Sequence, residues 1–571
     1  MDISKGETIL AQDAALANEP VDQDGENHGE TRRSSSLGER RPQNYEILLS
    51  RLFSARFLSL GRTAQDRLWG WLGPLLIAVF AGVIRFIRLG TPGSLVFDET
   101  YYVKGAYTLL RNGFENDWPD DPNEAWNAGF LDGYLPAADY VVHPPLGKWM
   151  ITFGMWLGDP ANAFFWRFST AIVSVIAVFL IARAGRAMFG STAFGLVAGG
   201  LFAIDGVAIV HARTGLLDSF LMFFVVVAFA LLIKDRQWRR ERLAKLCADR
   251  LSAGFALGQY GPRLGWGWYR FFAALSLGLA TGVKWSGAYY VAVFCVVAVL
   301  WDAAARYQVG IKKWLVGAFL RDALPSAAIM VPTAIAGYGL AWTSWFINPN
   351  SYGRQWGAQN PAEYWSWLPG FFNAPLDALR SLIHYHQGVL NFHTGLTSEH
   401  TYEAKAWGWL LQIRPTSFFW EKSARGENGC SSSECASAVT SIGNPLIWWI
   451  GTAAFLIAIF LLVRKFDWRA GAIVAGIAAG WVPWLFFPDR TIFTFYTIVF
   501  APFMYLAVAY LALVIWERWG TDPVTRGRVK IWFVAVAGLI VVVSVFFYPV
   551  WTGIQVPMWF WQMHNWLPTW V

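Results

Sequence analysis

Residues 69–89 read WGWLGPLLIAVFAGVIRFIRL, a run without an acidic residue in which Arg85 and Arg88 near the end are the only charges. A helix of about 20 apolar residues crosses the hydrocarbon core of a bilayer. The run therefore predicts a membrane-spanning helix. Ten further segments of similar character bring the prediction to about eleven spans: 164–184, 193–210, 216–233, 269–283, 286–301, 324–347, 446–463, 471–487, 492–515 and 530–548.

The composition of the whole chain agrees with a membrane protein. Of its 571 residues, 55% are hydrophobic and 15% are charged, whereas about 25% of the residues of a soluble domain carry a charge. Many of the 34 tryptophans flank apolar runs, where an amphipathic ring settles at the membrane–water boundary. We therefore predict an all-α, polytopic transmembrane protein. The net charge of +7 then reflects membrane orientation better than nucleic-acid binding.

The positions of Lys and Arg predict the orientation in the membrane. When the N-terminus is placed in the cytoplasm, the segments that face inward are rich in basic residues, as the positive-inside rule requires. These basic segments are 183–186, 234–250, 306–313, 464–469 and 518–530. An odd number of spans puts the C-terminus outside. Two long segments, 90–163 and 348–445, then face outward, and we expect them to form interfacial helices and loops.

The N-terminal region has two parts of different character. Residues 1–44 are polar, first acidic and then rich in Arg and Ser, which predicts a disordered cytoplasmic tail. Residues 45–67 alternate apolar side chains with arginines, a pattern that suits one amphipathic helix on an anionic membrane surface. The remaining residues, 68–571, form the predicted transmembrane domain.

Cysteines and histidines leave two questions open. Cys430 and Cys435 share a polar segment, and both a disulfide and two free thiols are compatible with the sequence. His384, His386, His393 and His400 lie in the second outer segment, but their spacing fits no compact metal site. An aromatic, polar surface is the simpler interpretation. We expect no required metal, with a divalent cation as the minority alternative.

The adjacent acids Asp98 and Glu99 follow the first predicted span directly. Partial burial there would raise the pKa of a carboxyl group, and the second charge would raise it further. Such a carboxylate can act as a general base. The alternative is a solvated pair that caps the next helix. Position alone does not separate these two interpretations.

Several other residues could bind an anion or shape a site. His143 and Lys148 lie in the run VVHPPLGKW at 141–149, where two prolines predict a rigid start to a helix. Four cations lie at the outer ends of predicted spans: Arg167, Arg213, Lys284 and Arg490. Charges at membrane depth are costly, and a group of them would suit a lipid phosphate. Snorkelling to the headgroups is the alternative for each one.

An ordered set of motifs resembles the protein O-mannosyltransferases, membrane glycosyltransferases of the GT-C class. The motifs are Phe97-Asp98-Glu99, His143-Pro144-Pro145-Leu146-Gly147-Lys148, Trp166-Arg167-Phe168, Ala212-Arg213, Leu217-Asp218-Ser219, Gly278 through Trp285, Trp409 through Pro415, and Gly443-Asn444-Pro445. The chain lacks the MIR domain that eukaryotic members insert in the second large loop. It has Val141-Val142 before the prolines, where those members have an Asp. Both traits resemble the actinobacterial branch.

The resemblance implies a GT-C fold and the transfer of mannose from a polyprenyl phosphate to Ser or Thr of exported proteins, with inversion. The implied base is Asp98, with Glu99 as its support or as a group that orients the acceptor. Arg167, paired with an acid, would hold the loop, together with His143 and Lys148. The candidates for the donor phosphate are Arg213, Lys284 and Arg490. The implied location is the plasma membrane, and the site would face outward.

Two other functions remain open at this level. A related GT-C enzyme could add a sugar to a glycan or a lipid with the same acidic loop. A flippase for lipid-linked sugars would instead need polar residues along a path through the membrane centre, and the predicted spans are largely apolar there. The sequence does not decide whether the protein acts alone, as a dimer, or beside the protein export channel.

Overall fold

The computed structural model describes residues 43–119, 123–361 and 369–570, and most of the predicted tail at 1–44 lies outside these ranges. Helices dominate the described residues. In chain order they are α1 (43–52), α2 (Ala55–Ser59), α3 (Ala64–Phe86), α4 (Glu99–Asn112), α5 (Asn123–Asn127), α6 (Leu146–Trp156), α7 (Ala163–Phe189), α8 (Thr192–Ile204), α9 (Gly206–Ala212), α10 (Asp218–Ser252), α11 (Trp268–Val283), α12 (Gly287–Gln308), α13 (Trp314–Ala341), α14 (Thr343–Ile347), α15 (Trp356–Gln359), α16 (Asn373–Gly395), α17 (Pro445–Lys465), α18 (Trp468–Trp481), α19 (Ala501–Trp519), α20 (Pro523–Thr552) and α21 (Met558–Gln562). Short 3₁₀ helices include Ala406–Leu411, Val482–Phe486 and Thr494–Val499.

Eight helical segments of the described residues are long and apolar enough to cross a membrane: α3, α7, α12, α13, α17, α18 with its 3₁₀ extension, α19 and α20. The pair α8–α9 makes a ninth if it is one span. The two remaining predicted spans correspond to α11, which has 16 residues, and to the apolar start of α10. The count of about eleven therefore stays a prediction.

The predicted span at 193–210 is bent by 60° between α8 and α9. Asp205 lies at the bend and accepts hydrogen bonds from Val207 N, Tyr505 Oη and Trp448 Nε1 at 3.1, 2.9 and 3.1 Å. Gly206 follows, and a Cβ atom there would lie 2.2 Å from the carbonyl oxygen of Ile442. The bend therefore depends on a buried acceptor and on close backbone packing.

The predicted span at 492–515 begins later in the structure. Residues Thr494–Val499 form a mostly buried 3₁₀ helix, and α19 starts at Ala501 with Pro502 in its first turn. A proline at that position is favourable because its missing N–H would have no partner within the helix. The hydropathy pattern alone did not predict where this helix begins.

The region 45–67 is divided rather than a single helix. Ser54 caps α2 and Thr63 caps α3 through side-chain hydrogen bonds, so two cap residues interrupt the amphipathic pattern. Leu48 and Leu52 are buried in a small core with Leu243 of α10. Part of the apolar face of α1 therefore packs against protein.

The second outer segment contains a β-sheet, which corrects the prediction of helices and loops alone. Strands β1 (Thr416–Ala424) and β2 (Glu434–Ser441) pair antiparallel, and the short β3 (Val556–Pro557) joins the free edge of β2. Cys430 and Cys435 form a disulfide at the turn of this hairpin. The sequence did not predict β1 because aromatic and polar residues occupy both of its faces, so apolar and polar side chains do not alternate along it.

Candidate active site

The acidic pair lies in a turn between α3 and α4. Phe97 has φ of 48°, a left-handed conformation that is uncommon for a residue other than glycine. The ring of Phe97 stacks on Phe418 of β1 at 4.8 Å and meets Phe495 edge-on at 5.4 Å. These aromatic contacts stabilise the turn, so the β-hairpin contributes to the placement of Asp98 and Glu99.

Glu99 is fully buried, and both of its carboxylate oxygens are satisfied. Oε1 accepts from Arg167 Nε at 2.8 Å and from Gly215 N at 2.7 Å. Oε2 accepts from Arg167 Nη2 at 2.7 Å and from Val96 N at 3.0 Å. The pairing of Arg167 with an acid is thus confirmed. A carboxylate with four donors has no geometry left for a substrate hydroxyl.

Arg167 also explains how the turn keeps its shape. Its guanidinium donates to the carbonyl oxygens of Pro92 at 2.7 Å and Ser94 at 3.1 Å, in addition to Glu99. Arg167 and Glu99 are both inaccessible to solvent. Charge-assisted bonds of this bidentate kind have a defined geometry. The pair therefore connects α7 with the segment that leads to Asp98.

Asp98 has a different environment from its neighbour. It precedes α4 but, among the described residues, makes no capping hydrogen bond; its side chain accepts a long hydrogen bond of 3.4 Å from Tyr102 Oη. Burial raises the pKa of the Asp98 carboxyl to about 6; the charge of Asp218 acts in the same direction, whereas Lys284 opposes it. Asp98 is therefore a carboxylate with free acceptor capacity and increased basicity.

A cavity of about 500 Å³ is lined by Lys284 and Asp218, two charged residues that act on the pKa of Asp98; Asp98 itself is not among the lining residues. Lys284, whose Nζ is 2.7 Å from Asp218 Oδ2, lines the cavity, and its charge affects the pKa of Asp98. The ionisable side chains of the lining, tyrosines aside, are His143, Asp218, Lys284, His386, His393 and Arg490. Much of the remaining wall is apolar or aromatic. Such a lining suits a ligand with an anionic head and an apolar tail.

Arg490 presents an unused hydrogen-bond donor in this cavity. Its Nε donates to the carbonyl oxygen of His393 at 3.0 Å, and its Nη2 lies 3.1 Å from His393 Nδ1. The third nitrogen, Nη1, is buried and has no hydrogen-bond partner among the residues that the structure describes. An unsatisfied buried donor is costly, so a bound anion would stabilise this arrangement.

The structure brings some sequence candidates together and separates another. His143 lines the cavity, and its ring lies 5.5 Å from that of His393. Lys148 pairs with Glu115 at 2.6 Å and so connects α6 with the segment after α4. Arg213 donates to the carbonyl oxygens of Arg85, Ile87 and Arg88 and is not among the residues that line the cavity. Arg213 thus supplies hydrogen-bond donors to carbonyl groups at the C-terminal end of α3, which have no partner within the helix.

Two residues of the site were not assigned a role from the sequence. Asp218 stood within a quoted motif, and its pairing with Lys284 could have been suspected because both occur at span ends. His393 was one of four histidines, and nothing local distinguished it. Within the described parts of the chain, no group of three or more His, Cys, Asp and Glu residues could hold a metal ion.

Comparison with known proteins identifies the family. Residues 75–337 match the family described as dolichyl-phosphate-mannose-protein mannosyltransferase, and residues 378–505 match the C-terminal four-helix membrane region of protein O-mannosyltransferases. Together these matches cover more than half of the chain.

Individual relatives agree with this assignment. The polyprenol-phosphate-mannose–protein mannosyltransferase of Mycolicibacterium smegmatis is 35% identical over 88% of this chain and 94% of its own length. The Corynebacterium glutamicum protein of the same name is 31% identical over 87% of this chain and 92% of its own length.

A solved structure shows the same fold. It is the Saccharomyces cerevisiae protein O-mannosyltransferase Pmt1–Pmt2 complex bound to the sugar donor. The TM-score is 0.65 at 15% identity, over 91% of this chain and 94% of the other. Together with the sequence matches, it shows that this chain belongs to the dolichyl-phosphate-mannose-protein mannosyltransferase family and is a membrane-embedded glycosyltransferase.

Proposed function

We propose that this enzyme transfers mannose from polyprenyl-phosphate mannose to Ser or Thr hydroxyls of exported proteins, by a single inverting displacement at the outer face of the plasma membrane. The observation that carries this proposal is the arrangement of Asp98 and the cavity. The carboxylate of Asp98 has a raised pKa and is electrostatically coupled to Lys284, which lines a cavity together with Arg490 and its unsatisfied donor nitrogen.

The proposed reaction uses Asp98 as the general base. A Ser or Thr hydroxyl is a weak nucleophile until its proton is removed. Asp98 accepts that proton while the hydroxyl oxygen forms a bond to C1 of mannose. The bond from C1 to the phosphate oxygen breaks, and its electron pair leaves with the polyprenyl phosphate. One displacement inverts the configuration at C1.

The leaving phosphate is stabilised by the two cations of the cavity. Arg490 Nη1 has no protein partner, and Lys284 holds a single carboxylate, Asp218, at 2.7 Å. Positive groups placed where negative charge develops lower the barrier most effectively in a site without bulk water. Tyr289, Leu390 and Phe487 supply apolar lining for the start of the polyprenyl chain.

Glu99 has a supporting role in this scheme. Its four hydrogen bonds to Arg167, Gly215 and Val96 hold the backbone that carries the preceding residue, Asp98. Of the two adjacent acids, only Asp98 has an oxygen free to accept a proton. We therefore assign the base to Asp98 and the positioning of the turn to Glu99.

The outer location of the site is supported by two features. Basic residues concentrate in segments that lie at the other ends of the spans, as the positive-inside rule requires of cytoplasmic segments. The hairpin that packs on Phe97 carries the disulfide Cys430–Cys435, and disulfides persist in oxidising compartments. The N-terminus would then be cytoplasmic and the C-terminus external.

The proposal is tested with purified protein in detergent or nanodiscs, supplied with polyprenyl-phosphate mannose and a Ser/Thr-rich peptide. We expect a mannosyl-peptide whose anomeric configuration, determined by NMR, is opposite to that of the donor. Transfer to a glycolipid but not to the peptide would refute the acceptor class. Retention of configuration would refute the single displacement. Because two side-chain cations serve the phosphate, we expect EDTA to leave the rate unchanged.

A further inference from the structure

We propose that His393 is the positioning residue for donor binding: it holds Arg490 so that one guanidinium nitrogen remains available to the donor phosphate. This inference rests on the proposed function, in which Arg490 binds that phosphate. His393 belongs to α16 and Arg490 to the segment before the 3₁₀ helix Thr494–Val499, so the two residues meet only in the folded chain.

The hydrogen bonds determine the state of the imidazole. A guanidinium only donates, so His393 Nδ1, 3.1 Å from Arg490 Nη2, must accept. The ring proton therefore resides on Nε2, which lies 3.0 Å from the carbonyl oxygen of Val142 and donates to it. His393 is thus neutral and has a single tautomer, with both ring nitrogens engaged.

The surroundings of the ring agree with a neutral imidazole. Burial and the charge of Arg490 together lower the pKa of His393 to about 4. The rings of His143 and Trp285 lie 5.5 and 6.0 Å away. The ring is therefore held by packing as well as by its two hydrogen bonds.

The consequence concerns the free edge of Arg490. His393 engages Nε through its carbonyl oxygen and Nη2 through its ring, which are the two nitrogens of one guanidinium edge. The Trp484 ring lies 5.2 Å from the guanidinium carbon. Of the three guanidinium nitrogens, Nη1 has no partner within the described part of the chain. The same imidazole binds Val142, next to His143, so His393 also connects Arg490 to the proline segment at the cavity wall.

Two substitutions separate the two ring nitrogens. Asparagine can place an amide oxygen near the position of Nδ1, so His393→Asn keeps the acceptor for Arg490 and loses the donor to Val142. Glutamine reaches the position of Nε2, so His393→Gln keeps that donor and loses the acceptor. We expect His393→Gln to raise the KM for polyprenyl-phosphate mannose about tenfold with little change in kcat, and His393→Asn to remain close to wild type.

The matched control is His384→Gln. His384 lies on the same helix, is exposed, and stacks on Trp356 at 4.0 Å, so its substitution should leave the KM unchanged. If the Gln variant of His393 does not fold, comparison of His393→Asn with His393→Ala answers the same question. Equal increases in KM for the Asn variant and for the variant without an acceptor would overturn the proposal.

A double substitution tests whether His393 acts through Arg490. In an Arg490→Gln background, His393→Gln should produce no further increase in the donor KM, whereas independent effects would multiply. A multiplied effect would contradict the positioning role. If Arg490→Gln alone leaves the donor KM unchanged, the phosphate assignment fails. If Arg490 matters and His393 does not, only the present inference fails.

Discussion

Helices α10, α11 and α12 carry two groups of buried charges, and these groups are paired to different degrees. At one end Asp218 pairs with Lys284 next to Asp98. Roughly 25 Å along α10, near its middle, lies an ionic cluster of six residues: Asp235, Arg239, Arg270, Asp302, Arg306 and Asp322.

Every member of the ionic cluster is paired. Arg270 binds Asp235 at 2.6 Å and Asp302 at 3.0 Å, while Arg239 binds Asp302 and Asp322 at 2.8 Å each. Three arginines face three aspartates, so their charges cancel. At the Asp98 end, by contrast, a carboxylate with a raised pKa and the nitrogen Arg490 Nη1 lack close partners. The ionic cluster therefore holds helices together through paired charges, whereas the Asp98 end keeps a carboxylate and a donor nitrogen available to a ligand.

The largest expected effect is on catalysis at the Asp98 end. Asp98→Asn removes the base but nearly preserves shape, so we expect kcat to fall about 10²- to 10⁴-fold with little change in melting temperature. The measurement is the initial rate of mannosyl-peptide formation, together with a thermal melt in detergent. Full activity in a folded Asp98→Asn enzyme would show that another group accepts the proton.

The second prediction concerns stability at the ionic cluster. Asp302→Asn leaves Arg239 and Arg270 with too little negative charge, and loss of one partner of a buried ion pair costs about 3–5 kcal/mol. We expect a lower free energy of unfolding and an unchanged rate per folded molecule. Glu241→Gln, an exposed change on α10, serves as the control and should shift stability by less than about 0.5 kcal/mol. A catalytic defect without destabilisation would contradict the structural role of the ionic cluster.

The third prediction separates two arginines that looked alike in the sequence. Arg490→Gln should raise the donor KM about 10- to 100-fold, because a hydrogen bond to a charged group is lost. Arg213→Gln should instead lower the melting temperature with little effect on the donor KM, because Arg213 binds carbonyl oxygens at the end of α3. The reverse pattern would move the phosphate site to Arg213.

The smallest expected effect is on pH dependence. The base must be deprotonated, so activity rises with pH through the Asp98 pKa of about 6 and is level above it. Between pH 7 and pH 5 we expect a decrease of about tenfold in kcat/KM. Asp98→Asn should abolish this dependence in its residual activity. A profile that stays flat to pH 5 would place the pKa of the base well below 6.

Apolar composition by itself determined that this chain is a helical membrane protein, because helix length and side-chain hydrophobicity are local properties. It also marked the pair Asp98–Glu99 by its position after a span. The ordered motifs indicated the family, and Arg167 was expected to pair with an acid. These predictions depend on residue type and order, which the sequence states directly.

The tertiary structure alone decided which charges are free. Glu99 and Arg167 are 68 residues apart, and Arg490 and His393 are 97 apart. Neighbouring residues in the sequence do not indicate that four donors occupy the Glu99 carboxylate or that Arg213 donates to carbonyl oxygens at the end of α3. They also do not indicate that β1 packs against Phe97. Such pairings depend on which helices and strands contact each other in the folded chain, and the hydropathy pattern does not predict these contacts. The sequence identified the candidate charged residues, and the tertiary fold determined which of them keep donors or acceptors for a substrate.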